Sequence, residues 1–145
     1  MIPFLVMLGV ILVARAIGAI GVEHVDSWQA ATRIGLAVMF FFTAVAHFNR
    51  MRPDLIRMVP PQLPNPAALV TLTGIAELLG AIGLLLPAVS HWAALALALL
   101  LVAMFPANVH AARSGTTLGG RPATRLALRL PMQLIWIGLL LWLAV

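Results

Sequence analysis

The feature that most constrains this chain is a set of five apolar segments, each close to the thickness of a bilayer. They run over residues 2–22, 30–48, 67–87, 92–112 and 125–145. Each is about 19 to 22 residues, enough to cross a hydrocarbon core of roughly 30 Å at 1.5 Å per residue. Inside a bilayer only helices or closed barrels satisfy their backbone, and runs of this length are helical. The expected fold is therefore all-α: a polytopic membrane helix bundle with five spans, forming one transmembrane domain over 1–145. Composition agrees, since 63% of residues are hydrophobic, 9% are charged and the mean hydropathy is +1.08. A soluble domain would carry about a quarter charged residues. The first segment has no basic stretch before it and Arg15 interrupts it, so it reads as a retained helix and not a cleaved leader.

What is missing excludes chemistry. The chain has no Cys, hence no disulfide, thiol relay, Fe–S cluster or Cys-ligated zinc. It has no Tyr. All nine basic residues are Arg. They lie mostly in short connections, which is a topology signal and not the solvated basic face of a nucleic-acid binder. No Gly-x-Ser-x-Gly elbow and no phosphate-cradling loop is present.

Arg50, Arg52, Arg57, Arg113, Arg121, Arg125 and Arg129 all fall on the side that holds the N-terminus. By the positive-inside rule that side is cytoplasmic, with the C-terminus outside and the chain in a bacterial inner membrane. Trp28, Trp92 and Trp142 cluster near the opposite face, as an interfacial belt would. The connection 49–66 holds five prolines, so it is not one helix; its apolar residues place it against the membrane interface. The Gly- and Thr-rich stretch 114–124 reads as a polar, mobile loop.

Polar residues inside the spans carry the functional argument, because an ionised side chain at a span centre costs about 3 kcal/mol on insertion scales. Glu77 is at the middle of the third span, among Thr73, Gly74, Ala76 and Gly80. It reads as a proton-exchanging or substrate-binding carboxylate, or as a structural acid held by an Arg. On the cytoplasmic half, His47, Asn108, His110, Arg129 and Gln133 lie at matching depth, and with Glu77 they outline a ligand-binding pocket open to the cytoplasm. Pro106 and Pro131 either merely shape helix packing or kink their helices there and free backbone carbonyls toward the pocket. Near the outer face, Arg15, Glu23, Asp26 and Arg33 form a candidate ion-pair cluster. His47 and His110 end spans on the same side, but without His-x-x-x-His, Glu-x-x-His or paired acids neither haem nor a metal site is expected.

Several segments resemble the DoxX and DoxX-like family of small bacterial membrane proteins. They are Arg33–Leu36, Phe42–Phe48, Met58–Pro64, Gly74–Gly80, Gly83–Pro87, Phe105–His110 and Arg129–Gln133, in that order. The resemblance implies a four-helix core, to which this chain adds an N-terminal span carrying Arg15. It also implies membrane redox work, since some relatives take part in thiosulfate:quinone oxidoreduction and others in oxidative-stress assemblies. Thiol roles of related families cannot transfer to a chain without Cys. Three functions stay open. One is an accessory protein binding a quinone or other lipophilic small molecule, in company with other membrane or redox subunits. The second is a non-catalytic assembly factor or lipid-binding scaffold. The third is a small proton-coupled transporter, which at this length would work as a homo-oligomer. An enzyme acting alone is the less favoured case.

Overall fold

The computed structural model describes residues 1–145 and is almost entirely helical. Helix α1 spans Ile2–Ala19 and ends in a turn and a short 3-10 segment, Glu23–Val25. Helix α2 (Trp28–Ala46) starts cleanly because the Ser27 hydroxyl caps it, accepting the Ala30 N–H at 3.0 Å. A seven-residue helix α3 (Arg52–Met58) lies within the proline-rich connection, with Pro53 in its first turn, where no N–H is needed. Helix α4 (Pro66–Leu85) begins after Asn65, held in the left-handed region at φ 48°, and starts on Pro66. Helices α5 (Ser90–Ala103) and α6 (Phe105–Ser114) together make one 25-residue span, interrupted at Met104. Helix α7 (Leu126–Leu143) closes the chain and runs through Pro131 as one helix. Five helices are long and apolar enough to cross a membrane.

α2, α4, the α5–α6 span and α7 pack in that order as a four-helix ring, closed by a thin contact between α7 and α2. α1 stands outside the ring against α2. The close approach of α1 is made by Gly35: a Cβ there would meet Ile11 Cγ1 at 2.4 Å. The core is built from Leu36, Met39, Phe40, Leu84, Leu97 and Leu140, each under 2% exposed. Leu72, Leu79, Leu99 and Leu134 are well exposed. In water that would be a liability, whereas a bilayer solvates such a surface.

On the face holding the N-terminus, the structure is more ordered than the sequence suggests. The stretch expected to be a mobile loop contains a two-residue hairpin, Thr117–Leu118 with Arg121–Pro122. Gly119 and Gly120 turn it at φ 59° and 76°, the positive values such a turn requires. The Gly119 N–H donates to Asp54 Oδ2 at 2.7 Å, tying the hairpin to α3. Arg52 supplies a second clamp. It donates to the His47 carbonyl and the Ala67 carbonyl, each at 3.0 Å, and to Thr71 Oγ1 at 2.8 Å. One guanidinium thereby satisfies the end of α2 and fastens it to the start of α4.

Candidate functional site

Glu77 projects from the middle of α4 toward α2 and is 4% exposed. Its Oε2 accepts the Thr43 hydroxyl at 2.7 Å. The same hydroxyl is 3.0 Å from the Phe40 carbonyl. A hydroxyl carries one proton, so two patterns are open to this triad. With Glu77 ionised, Thr43 donates to it. With Glu77 protonated, Glu77 donates to Thr43 and Thr43 donates to the Phe40 carbonyl. The triad can therefore gain or lose a proton without leaving a hydroxyl unpaired.

His47 lies one turn from Thr43 and is also 4% exposed. Its Nδ1 is 3.1 Å from the Thr43 carbonyl, and because a carbonyl only accepts, that nitrogen carries the proton. Nδ1 lies 3.9 Å from Glu77 Oε2, beyond hydrogen-bond range. Gly74 makes this proximity feasible, since a Cβ there would fall 2.5 Å from His47 Cβ.

Asn108 and Gln133 form a second buried pair, 5% and 3% exposed. Asn108 Nδ2 donates to Gln133 Oε1 at 3.3 Å, and Gln133 Nε2 donates to the Leu101 carbonyl at 2.8 Å. The amide thus caps the end of α5 just before the break at Met104. The carbonyl expected to be freed one turn before Pro106, that of Val102, accepts a backbone N–H of the α5 cap, and the carbonyl that Gln133 engages is that of Leu101.

Arg129 is the remaining cation. Its charge and that of Glu77 influence one another, yet it makes no hydrogen bond or ion pair, and its Nε is buried without a partner. Trp136 Nε1 is in the same condition. Arg129, Gln133 and Trp136 occupy positions i, i+4 and i+7 of α7, a single helical stripe. Helical side chains lean toward the N-terminus of their own helix, which aims Trp136 along the direction of Gln133 and Arg129. Every buried side-chain atom without a partner in this protein is an N–H donor: Arg15 Nε, Arg33 Nε, Arg129 Nε and Trp136 Nε1.

The structure therefore joins the sequence-derived residues in two groups, His47 with Glu77 and Asn108 with Gln133, with Arg129 in electrostatic reach of the first. His110 makes no hydrogen bond to either group. No three His, Asp or Glu side chains converge as a metal-binding set. At the other face, Arg15 pairs with Asp26 through its carboxylate at 3.5 Å and through its carbonyl, and stacks 5.0 Å from the Trp28 ring. Glu23 and Arg33 take no part in an ion pair, so the expected four-residue cluster reduces to one pair. Thr43 and Trp136 were missed in the sequence. A threonine seven residues after Leu36 on the buried stripe of α2 was a usable signal for the first. A tryptophan on the stripe of Arg129 was a signal for the second.

The polar groups are tightly packed, and two open grooves lie beside them on the bilayer-facing surface. One, of about 660 Å³, runs between α4 and α5 past Ala76, Gly80, Gly83, Trp92, Ala96 and Ala103. The other, of about 210 Å³, runs between α7 and the α5–α6 break, and Gln133 is its one polar wall.

Fold and interior together define a multi-pass membrane helix bundle with a buried acid, a buried amide pair and an excess of unpaired donors. Residues 36–144 match the family described as "Domain of unknown function (DUF8561)", and the chain belongs to that family. The matched region covers the second half of α2 and all of α3 to α7, and leaves out α1, the helix outside the ring, and the start of α2. No curated protein and no solved structure matches the chain.

Proposed function

We propose that this is a DoxX-like accessory protein of a bacterial inner membrane, with its N-terminus in the cytoplasm, whose interior binds a lipophilic small molecule through an acceptor-bearing headgroup. A quinone is the specific ligand class. The observation that carries the proposal is the pair of unpartnered buried donors, Arg129 Nε and Trp136 Nε1, on one stripe of α7 with Glu77 in electrostatic reach. Burying a donor without a partner costs about 1–3 kcal/mol, and a ligand carbonyl removes that cost. An acceptor-only headgroup matches a set of donors; a donor-rich ligand would not. Glu77, relayed through Thr43, would exchange a proton with the bound headgroup, and a redox partner in the membrane would exchange electrons with it. The test is titration of the purified protein in nanodiscs with a short-chain benzoquinone, read by tryptophan fluorescence quenching. Saturable quenching in wild type, weakened by Glu77→Gln, supports the proposal. Linear, non-saturating quenching in wild type defeats it.

A scaffold role is the second reading, favoured by one observation: Thr43 with Glu77, and Asn108 with Gln133, already form two hydrogen-bonded pairs across four helices. In that case Glu77→Gln would lower the melting temperature strongly and leave no ligand effect to measure.

A further inference from the structure

The groove between α7 and the α5–α6 break has features that ordinary helix packing does not require. The span breaks at Met104, where α5 ends at Ala103 and α6 starts at Phe105. Pro106 has no N–H to offer the Val102 carbonyl one turn earlier, and that carbonyl accepts a backbone N–H of the α5 cap instead. Val102, Phe105, Leu130, Leu134 and Ile137 make the apolar walls, and Gln133 stands at the inner end. Gln133 uses one N–H on the Leu101 carbonyl and one lone pair on Asn108, at a long 3.3 Å. An amide has two N–H groups and two lone pairs, so one of each remains. Gln133 also sits between Arg129 and Trp136 on the α7 stripe. Gln133 is therefore the one groove residue that shares the stripe of the two unpartnered donors.

We infer that this seam is the lateral portal by which the headgroup of a lipophilic ligand passes from the bilayer into the bundle, with Gln133 as the gate that hands it inward. The inference rests on the ligand-binding function proposed above. The groove of about 210 Å³ holds one substituted six-membered ring. Its apolar walls suit the ligand's hydrocarbon neck, and its single amide can donate to a carbonyl or accept from a hydroxyl as the headgroup arrives. Opening the gate gives up the long Asn108–Gln133 bond. The larger groove between α4 and α5 lacks any such polar end, having ten hydrophobic residues among its twelve.

A portal governs rates and leaves equilibrium affinity unchanged. The test is stopped-flow mixing of a short-chain benzoquinone with protein in nanodiscs, following tryptophan quenching, for wild type, Val102→Phe and Leu134→Phe. Both side chains are bilayer-exposed, at 57% and 59%, so a phenylalanine fills the groove without disturbing the core. Leu72→Phe, at a 62% exposed position on α4, is the control. The expected result is that association and dissociation both slow by about tenfold or more in the two groove variants, with Kd unchanged; tenfold corresponds to about 1.4 kcal/mol on the barrier. Unaltered rates alongside saturable binding would overturn the portal and leave the binding site standing. Weakened Kd with unaltered association would make the groove a resting place and also overturn the portal. Absence of saturable binding in wild type would overturn the ligand-binding function and the portal with it.

Discussion

Adding one methyl group at Gly74 should damage this protein, while the same change at Gly138 should improve it. A Cβ at position 74 falls 2.5 Å from His47 Cβ, 2.8 Å from His47 Cγ and 2.9 Å from Phe48 Cε2. Carbon atoms rest at about 3.5–4.0 Å, so α2 and α4 must part by about 1 Å. The nearest neighbour is a Cβ, fixed to the backbone, so no side-chain rotation relieves the clash. Overpacking of this kind costs about 1–3 kcal/mol. Replacing Gly by Ala in a helix returns up to about 1 kcal/mol. The parting also stretches the 2.7 Å Thr43–Glu77 bond one turn away past the hydrogen-bond limit, and such a bond between membrane helices is worth about 0.6 kcal/mol. Gly74→Ala should therefore destabilise by about 0.5–3 kcal/mol, the sum of those three contributions. At Gly138 an added Cβ meets nothing within 4 Å, so only the propensity gain of about 0.5–1 kcal/mol is expected. Reversible unfolding in mixed micelles, titrated with a denaturing detergent, measures both. A Gly74→Ala protein as stable as wild type, or more so, would refute the close packing of α2 on α4 that brings His47 toward Glu77.

Three further outcomes follow from the same geometry. Thr43→Val removes the hydroxyl from Glu77 at nearly constant volume and should cost about 1 kcal/mol; in a Glu77→Leu background the same change should cost close to nothing, as a double-mutant cycle of unfolding free energies will show. Asp54→Ala releases the Gly119 amide, so hydrogen exchange at Gly119 should accelerate while the unfolding free energy moves by less than about 0.5 kcal/mol, since the tie is at the exposed rim. Trp136→Phe removes one unpartnered donor and keeps the ring packing; the quinone Kd should rise by about tenfold while the melting temperature holds or increases, because a buried unpaired N–H is lost.

The spans were legible because bilayer thickness imposes a length that a 3.6-residue helix meets in only one way. Glu77 was legible for the same reason: a charge at the centre of an apolar run is conspicuous. Asn108 and Gln133 were found by depth, and the structure pairs them. What depth cannot supply is azimuth. His110 lies at the right level and still makes no bond to the cluster, and Arg33 and Glu23 lie at the level of the Arg15–Asp26 pair and make no ion pair. Thr43 was hidden because a threonine in an apolar helix usually bonds its own backbone, as Thr73 does with Leu69 at 2.9 Å. Trp136 was hidden because tryptophan in a span counts as apolar until its N–H is followed. The hairpin 117–122 was hidden because its order comes from a partner sixty-five residues away, Asp54, and no local pattern encodes that.

The central claim is that the unpaired donors inside the bundle exist to hold a lipophilic acceptor. The most direct measurement is mass spectrometry of organic extracts from purified wild type beside Arg129→Gln. Arg129 makes no hydrogen bond in this structure, so its replacement removes a ligand contact without removing a fold contact. A discrete quinone or comparable carbonyl-bearing lipophile, near stoichiometric in wild type and depleted in the variant, is the predicted result. Bulk phospholipid alone in both extracts would contradict the claim and return Glu77, Arg129 and Trp136 to the scaffold.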